Sequence, residues 1–131
     1  MSNTLHNQGE EQILEVALEN QDLALGLYNE STDQLADNST LGDITTEPDN
    51  AESYSRVSIS GLNVTLNGSG DAEAVAPEVI FNVSSNTETV DAVFVVNTDT
   101  NELQFTSELD ETRDLEPIDN LVNNNIGLTL D

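Results

Sequence analysis

The side chains of this sequence that could do chemistry are almost all carboxylates. Among 131 residues there are 26 Asp and Glu but only two basic residues, Arg56 and Arg113, and the formal net charge is −24. Covalent catalysis needs a nucleophile and a base that activates it. The sequence has no Cys, no Lys and one His, His6, near the terminus. Carboxylate pairs arise by chance at this density, so we expect no enzyme activity and no catalytic residues.

Oxygen-rich turns are the second candidate for chemistry. Asn97–Glu102 and Asp110–Asp114 carry the carboxylate and amide oxygens that Ca²⁺ and Mg²⁺ prefer. The first segment is not an EF-hand loop, because Asn97-x-Asp99-x-Asn101 lacks the following Gly and the distant Glu. We expect divalent or monovalent cations to bind diffusely at the surface, with no cofactor required. The sequence does not locate a specific metal site.

Fixed positive charge is confined to the two arginines. Arg56 follows Tyr54 at the start of an apolar segment, and Arg113 lies among acidic residues. A guanidinium can pair with a carboxylate through two parallel hydrogen bonds. Either an acidic neighbouring protein or the chain itself could supply that carboxylate. Because uncompensated carboxylates are so abundant here, we expect Arg56 to form a partly buried ion pair within its own chain.

The net charge has three interpretations: a folded protein from molar salt, a disordered acidic chain, or a decoy of the phosphate backbone. Apolar residues in strand-like alternation argue against disorder. The complete absence of Lys favours adaptation to the solvent, since molar salt screens self-repulsion. The same charge argues against binding to nucleic acid and to anionic membranes. No apolar run approaches the ~20 residues of a membrane span, and no signal peptide is expected at the N-terminus.

The most apolar segment, Val90–Val96, predicts the central strand of the fold. Val90, Ala92, Phe94 and Val96 share one side, while Val93 and Val95 share the other. Both sides are apolar, so this strand is expected to be covered on both faces. The small polar residues 97–101 predict a turn, after which Leu103 and Phe105 resume the alternation. The pattern indicates a β-hairpin.

Other segments predict a short helix and further strands. In residues 7–19, Asn7 and Glu10 have capping-box spacing, and Ile13, Leu14, Ala17 and Leu18 form an apolar stripe. Gly26, inside the strand Leu23–Tyr28, predicts a bulge or the close approach of another backbone. The remaining expectations are a strand region at 53–66 with a bulge at Gly61, a tight turn at 67–71, a strand at Val79–Val83, an acidic loop at Ser107–Asp119 and a last strand from Ile126 to Asp131.

These elements together predict one domain over residues 1–131. The fold class is mainly β, an antiparallel, jelly-roll-like β-sandwich with one short N-terminal α-helix. Residues 1–20 form the N-terminal segment and helix. The polar segment 29–50 is long for a loop, so we expect either a working surface or a segment that a neighbouring subunit orders.

Several short motifs follow one another along most of the chain. They are Leu5-His6-Asn7-Gln8-Gly9-Glu10, Leu25-Gly26-Leu27-Tyr28, Thr40 to Pro48, Tyr54-Ser55-Arg56, Val90 to Val96 and Leu103-Gln104-Phe105. Their order resembles that of the small accessory virion proteins of tailed viruses. The resemblance implies a β-sandwich fold and a place in the virion, on the capsid or the tail, with no catalytic residues to carry over.

Combined with the charge, the resemblance implies a structural virion protein of a tailed virus that infects a halophile. A capsid turret or decoration protein is the first expectation, assembling as a symmetric homo-oligomer and contacting the major capsid protein or another turret or tail component. The apolar helix stripe or the 29–50 loop would be its docking surface. The alternative is a tail-fibre or receptor-binding module whose tips at 67–71 or 97–101 contact host surface glycans. An intracellular halophilic protein, including a decoy, remains a third possibility.

Overall fold

The computed structural model describes residues 3–130 and has the predicted fold class. It is mainly β, with antiparallel sheets in a sandwich-like arrangement and a short N-terminal helix. No helix among residues 3–130 is long and apolar enough to cross a membrane. The elements are α1 (Asn7–Leu14), a π-helical turn (Glu15–Glu19), β1 (Leu23–Tyr28), α2 (Glu30–Asp33), a 3₁₀ turn (Leu41–Asp43), β2 (Val57–Ile59), β3 (Asn63–Leu66), β4 (Ala72–Val75), β5 (Val79–Asn82), β6 (Thr89–Asn97), β7 (Glu102–Asp114), β8 (Asn120–Asn123) and β9 (Gly127–Leu130).

The predicted hairpin is the centre of the largest sheet. This sheet has four antiparallel strands in the order β2-β1-β6-β7. Val93 and Val95 on β6 face the main core, and Phe94 and Val96 face a second apolar cluster on the opposite side. Cover on both faces is therefore confirmed. A register shift between Val90 and Ala92 places Val90 in the main core, not beside Ala92 as the alternation predicted.

The other strands form a three-stranded sheet, β3-β4-β9, and a two-stranded sheet, β5-β8. One antiparallel register runs through both, from Ala72 opposite Leu130 to Asn82 opposite Asn120. A hydrogen bond from Ala76 N to the Ile126 carbonyl (2.9 Å) bridges the interruption between them. We call residues 72–83 and 119–130 the ribbon. Asp131, the predicted end of the last strand, lies outside the described residues.

Three local expectations are wrong. Ser107–Asp119 is a loop only over residues 115–119, because β7 pairs with β6 as far as Asp114 and its acidic side chains lie in solvent. Gly61 is not a bulge: the chain changes sheets there, with a φ of +122° and the Glu19 carbonyl where a Cβ would lie. Asn7 does not cap α1, since the cap position is His6 and no side chain caps that end.

The predicted apolar stripe of the N-terminal helix is only partly buried. Leu14 and Leu18 enter the main core, where α1 packs on the small residues of β4. Ile13, predicted to share this face, is 49% exposed. Most of the apolar stripe of the helix therefore stabilises its own domain.

Candidate functional site

One polar group in the fold joins a carboxylate, a phenol and a guanidinium. Glu47 accepts a hydrogen bond from the Tyr54 hydroxyl (2.7 Å) and two from Arg56, at Nε and Nη2 (2.8 Å each). The predicted partly buried ion pair of Arg56 with its own chain is therefore confirmed. The Tyr54 hydroxyl also accepts a hydrogen bond from the backbone N–H of Leu27 on β1 (3.0 Å). The group thus ties the long polar segment to the central sheet.

Contacts with aromatic rings also hold Arg56 and Tyr54 in place. The Arg56 guanidinium carbon lies 5.1 Å from the centroid of the Phe94 ring, which is cation–π distance. The Tyr54 ring stacks on Phe81 at a centroid separation of 6.3 Å. Gly26 leaves the space that the Phe94 ring and the Tyr54 hydroxyl occupy. Two side chains therefore occupy the space at Gly26, and neither the bulge nor the close approach of another backbone that the sequence predicted is present there.

A buried amide holds the neighbouring turn in place. Asn86 is 1% exposed, and its Oδ1 accepts hydrogen bonds from Ser53 Oγ and Tyr54 N (3.0 Å each). Its Nδ2 donates to the Asp49 carbonyl (3.1 Å) and to Glu88 Oε1 (3.2 Å). Glu88 Oε2 in turn accepts from Asp49 N (2.8 Å). Both ends of residues 49–54 are therefore anchored before the chain enters β2.

These residues line an open depression of about 640 Å³. Glu47 neutralises the guanidinium of Arg56 inside it, and the Arg56 side chain is 37% exposed. Burial, followed by the hydrogen bond to Glu47, raises the pKa of Tyr54, so the phenol stays protonated. The hydrogen bonds to Glu47 raise the pKa of Arg56. The arrangement stabilises fixed charges and presents no activated nucleophile, so we interpret it as a structural clamp. Its lining residues are Glu47, Pro48, Asp49, Asn50, Tyr54, Ser55 and Arg56.

The long polar segment is a cover for the central sheet. Leu35, Leu41 and Ile44 pack on the second apolar cluster, over Phe94 and Val96 of β6. The segment contains the short helix α2 and a 3₁₀ turn, so part of the predicted loop is helical. Neither a free working surface nor an external subunit is needed to explain its order.

Two carboxylates hold this cover. Asp33 accepts hydrogen bonds from the N–H and hydroxyl groups of both Thr45 and Thr46. Burial opposes ionisation of Asp33, but these hydrogen bonds outweigh it and hold the pKa below its ordinary value. Asp91 accepts from Glu30 N (2.6 Å) and Ser31 N (3.2 Å), at the start of α2. A carboxylate near a helix N-terminus is favourable.

The oxygen-rich segments hold no clustered metal ligands. Asn97 Oδ1 accepts hydrogen bonds from Asp99 N (2.9 Å) and Thr100 N (3.2 Å), which shape the hairpin turn. Asp110–Asp114 lies on β7, where successive side chains point to opposite faces. Within residues 3–130, no group of three or more acidic or His side chains is placed to hold a metal ion. Arg113 forms an exposed pair with Glu111 (3.0 Å).

Sequence reasoning missed the carboxylates and the amide that organise the clamp and the cover. The roles of Glu47 and Asn86 depend on partners far along the chain, and neither residue stands out locally. The contact of Asp33 with Thr45 and Thr46 left only a weak signal in the sequence. The signal is a carboxylate and two hydroxyls within the same polar segment. Comparison of the chain with protein-family profiles, with curated proteins and with solved structures finds no match.

Proposed function

We propose that this chain is a structural, non-catalytic protein of the virion of a tailed virus that infects a halophile. Within the virion, a capsid turret or decoration protein is the role we favour. It forms a symmetric homo-oligomer and contacts the major capsid protein or another turret or tail component. The observation that carries the proposal is the convergence in space of the short motifs that resemble accessory virion proteins.

Four of the six motifs lie far apart in the chain and contribute residues to the clamp. Gly26 comes from the first strand motif, Glu47 from the polar motif, and Tyr54 and Arg56 from the aromatic-x-Arg motif. Phe94 comes from the central strand motif and contacts Gly26 and Arg56. These four motifs share one contact network, and that common packing is the support for the resemblance.

The use of acidic residues supports the halophilic setting. Asp33, Asp91, Glu47 and Glu88 accept hydrogen bonds inside the domain, while most other carboxylates lie in solvent. A folded surface with a formal charge of −24 repels itself strongly at low ionic strength. Molar salt screens this repulsion, with a Debye length of about 3 Å at 1 M. A virion component exposed to brine meets that condition.

The tail-fibre alternative is the second proposal, and it ranks lower for a specific reason. Sugar rings are commonly held on the exposed faces of aromatic side chains. The five aromatic side chains of this chain lie in or against the core: Tyr28, Tyr54, Phe81 and Phe94 are buried, and Phe105 packs on the main core. The tips at 67–71 and 97–101 therefore offer hydrogen bonds to a glycan but no stacking surface.

The composition of virions tests the proposed function. Virions are purified from the virus that encodes the chain by two successive density gradients and analysed by mass spectrometry. We expect the chain at a stoichiometry related to the capsid symmetry, and antibody labelling on the capsid in electron micrographs. A non-structural protein of the same virus serves as the control for contamination. Absence of the chain from gradient-purified virions would contradict the proposal, and labelling confined to the tail would favour the alternative.

A further inference from the structure

The turn between β3 and β4 contains the only Asn-Gly pair of the sequence, Asn67-Gly68. Two backbone hydrogen bonds close this turn, from Gly70 N to the Asn67 carbonyl (3.0 Å) and from Asn67 N to the Asp71 carbonyl (2.8 Å). The backbone nitrogen that follows an asparagine can attack the side-chain amide of that asparagine, because the product is a five-membered ring. The turn therefore holds an electrophile and a nucleophile side by side.

The turn polarises the side-chain amide of Asn67. Its Oδ1 accepts hydrogen bonds from Ser69 N (2.9 Å) and Asp71 N (3.1 Å). Two N–H donors on one carbonyl oxygen stabilise the negative charge that develops there when a nucleophile adds to the carbonyl carbon. The Nδ2 atom lies 3.5 Å from Glu73 Oε2, near the outer limit of a hydrogen bond, so the nitrogen that must leave is held only weakly.

The nucleophile, the backbone nitrogen of Gly68, is unobstructed. No heavy atom beyond its chain neighbours lies within 4 Å of a Cβ placed at Gly68, and within residues 3–130 its N–H donates no hydrogen bond. Gly68 is exposed, so water and hydroxide reach it. A glycine also adopts backbone angles that other residues avoid, so this peptide group can rotate toward the Asn67 side chain.

Asn97 provides a comparison within the same chain. Its Oδ1 also accepts two backbone N–H groups in a hairpin turn, from Asp99 (2.9 Å) and Thr100 (3.2 Å). Asn97 is buried, however, and the N–H of the next residue, Thr98, donates to the Asp22 carbonyl (3.0 Å). The two asparagines thus share a polarised amide, but only the first is followed by a free backbone nitrogen.

We infer that Asn67 deamidates spontaneously in the folded protein. The Gly68 nitrogen loses its proton to a base and attacks Asn67 Cγ, which forms the N–Cγ bond. The Cγ–Nδ2 bond breaks, and the nitrogen takes a proton from water and leaves as ammonia. Water then opens the resulting succinimide at either carbonyl and gives aspartate or isoaspartate. The net reaction converts an amide and water into an acid and ammonia, and it needs no other reactant.

The products change the turn in two ways. Both place a new carboxylate at residue 67, close to Glu73 and to the backbone of Asp71. Isoaspartate also lengthens the backbone by one atom, so the two hydrogen bonds that close the turn cannot both keep their geometry. Deamidation therefore weakens the β3–β4 hairpin as the protein ages. This inference goes beyond the proposed function and does not depend on it.

Time courses of the folded, full-length chain in molar NaCl test the inference at neutral and mildly alkaline pH. Samples are digested with an acid protease, which limits further reaction. Mass spectrometry with electron-transfer fragmentation then distinguishes asparagine, aspartate and isoaspartate at each position. We expect residue 67 to convert at least about tenfold faster than Asn97, a barrier lower by about 1.4 kcal/mol. The rate should rise with pH, because the attacking nitrogen must lose its proton.

Gly68→Ala is the matched variant, because the fold has room for its methyl group while the methyl group hinders rotation of the attacking peptide. We expect it to keep the wild-type circular dichroism and to slow conversion of residue 67 by about tenfold. An unmodified Asn67 in the folded chain would overturn the inference, as would conversion no faster than that of Asn97 or equal rates in wild type and Gly68→Ala. If the variant failed to fold, the comparison of Asn67 with Asn97 in the wild type would decide.

Discussion

Gly26 lies directly opposite Phe94 in the register of β1 and β6, and the Phe94 ring fills the space that a side chain at Gly26 would occupy. A Cβ at this position would also lie 2.8 Å from the Tyr54 hydroxyl. The glycine thereby allows the Phe94 ring to extend beneath Arg56 and the Tyr54 hydroxyl to reach the Leu27 N–H. The clamp depends on the smallest residue in the strand.

The first prediction concerns this glycine. Gly26→Ala forces the Phe94 ring and the Tyr54 hydroxyl to move, and overpacking of this kind costs about 1 to 3 kcal/mol of unfolding free energy. Chemical denaturation in molar NaCl measures the change. Gly68→Ala is the control, because no heavy atom lies within 4 Å of a Cβ placed at Gly68. Equal unfolding free energies of the two variants would show that the clamp accommodates a methyl group at residue 26.

The second prediction compares the two ion pairs of the chain. Glu47→Gln removes a charged acceptor of three hydrogen bonds, so we expect a loss of about 1 to 3 kcal/mol. Glu111→Gln breaks the pair with Arg113, where the glutamate side chain is 68% exposed, and should cost less than about 1 kcal/mol. Both variants remove one negative charge, so general relief of repulsion cancels in the comparison. If Glu111→Gln destabilised the fold as much as Glu47→Gln, the clamp would contribute no more to stability than an exposed ion pair does.

Much of the central sheet could be predicted because its signals are local. Alternation marked the strand Val90–Val96 and its return, and the apolar character of both faces indicated cover on both sides. Gly26 marked a crowded position in the strand, but its neighbours are the Phe94 ring and the Tyr54 hydroxyl, which the sequence could not identify in place of a backbone or a bulge. For Arg56, the excess of carboxylates made an internal ion pair the simplest expectation.

The errors occur where a long-range contact determines the local structure. Ser107–Asp114 has the composition of a loop, yet pairing with β6 makes it a strand with solvated acidic side chains. The interruption of the strand pattern at Gly61 was correctly located. A bulge and a change of sheet, however, look alike in sequence. The short strands β4 and β8 were not predicted, because each has only four residues and its pattern depends on the other strands of the ribbon.

The third prediction concerns acid stability through Asp33. Its pKa is lowered in the folded state, so its contribution to stability is fully present above the unfolded value, near 3.8, and is lost as the pH falls through the lower folded value. Asp33→Asn should therefore destabilise the domain at neutral pH by about 1 kcal/mol, the typical net contribution of hydrogen bonds to one side chain. Its unfolding free energy should also fall less than that of the wild type as the pH drops below 3.8.

Denaturation at a series of pH values checks this prediction, with Asp37→Asn as the control. Asp37 lies in the same segment and is exposed, so its replacement changes the charge equally without removing the hydrogen bonds to Thr45 and Thr46. We expect the control to follow the wild type at every pH. A parallel pH dependence of Asp33→Asn and the wild type would contradict the assigned role of Asp33.

The fourth prediction concerns salt. When NaCl falls from molar concentration to ~0.1 M, the Debye length grows from about 3 Å to about 10 Å, and the carboxylates begin to repel one another across the surface. We expect the β-sheet circular dichroism signal to be lost in this range. The triple variant Glu108→Gln, Asp110→Asn, Glu111→Gln removes three neighbouring charges from β7 and should shift the midpoint of the transition to lower salt. A signal that is unchanged from molar to ~0.1 M NaCl would exclude adaptation to brine, because the folded state would then tolerate its own charge without screening.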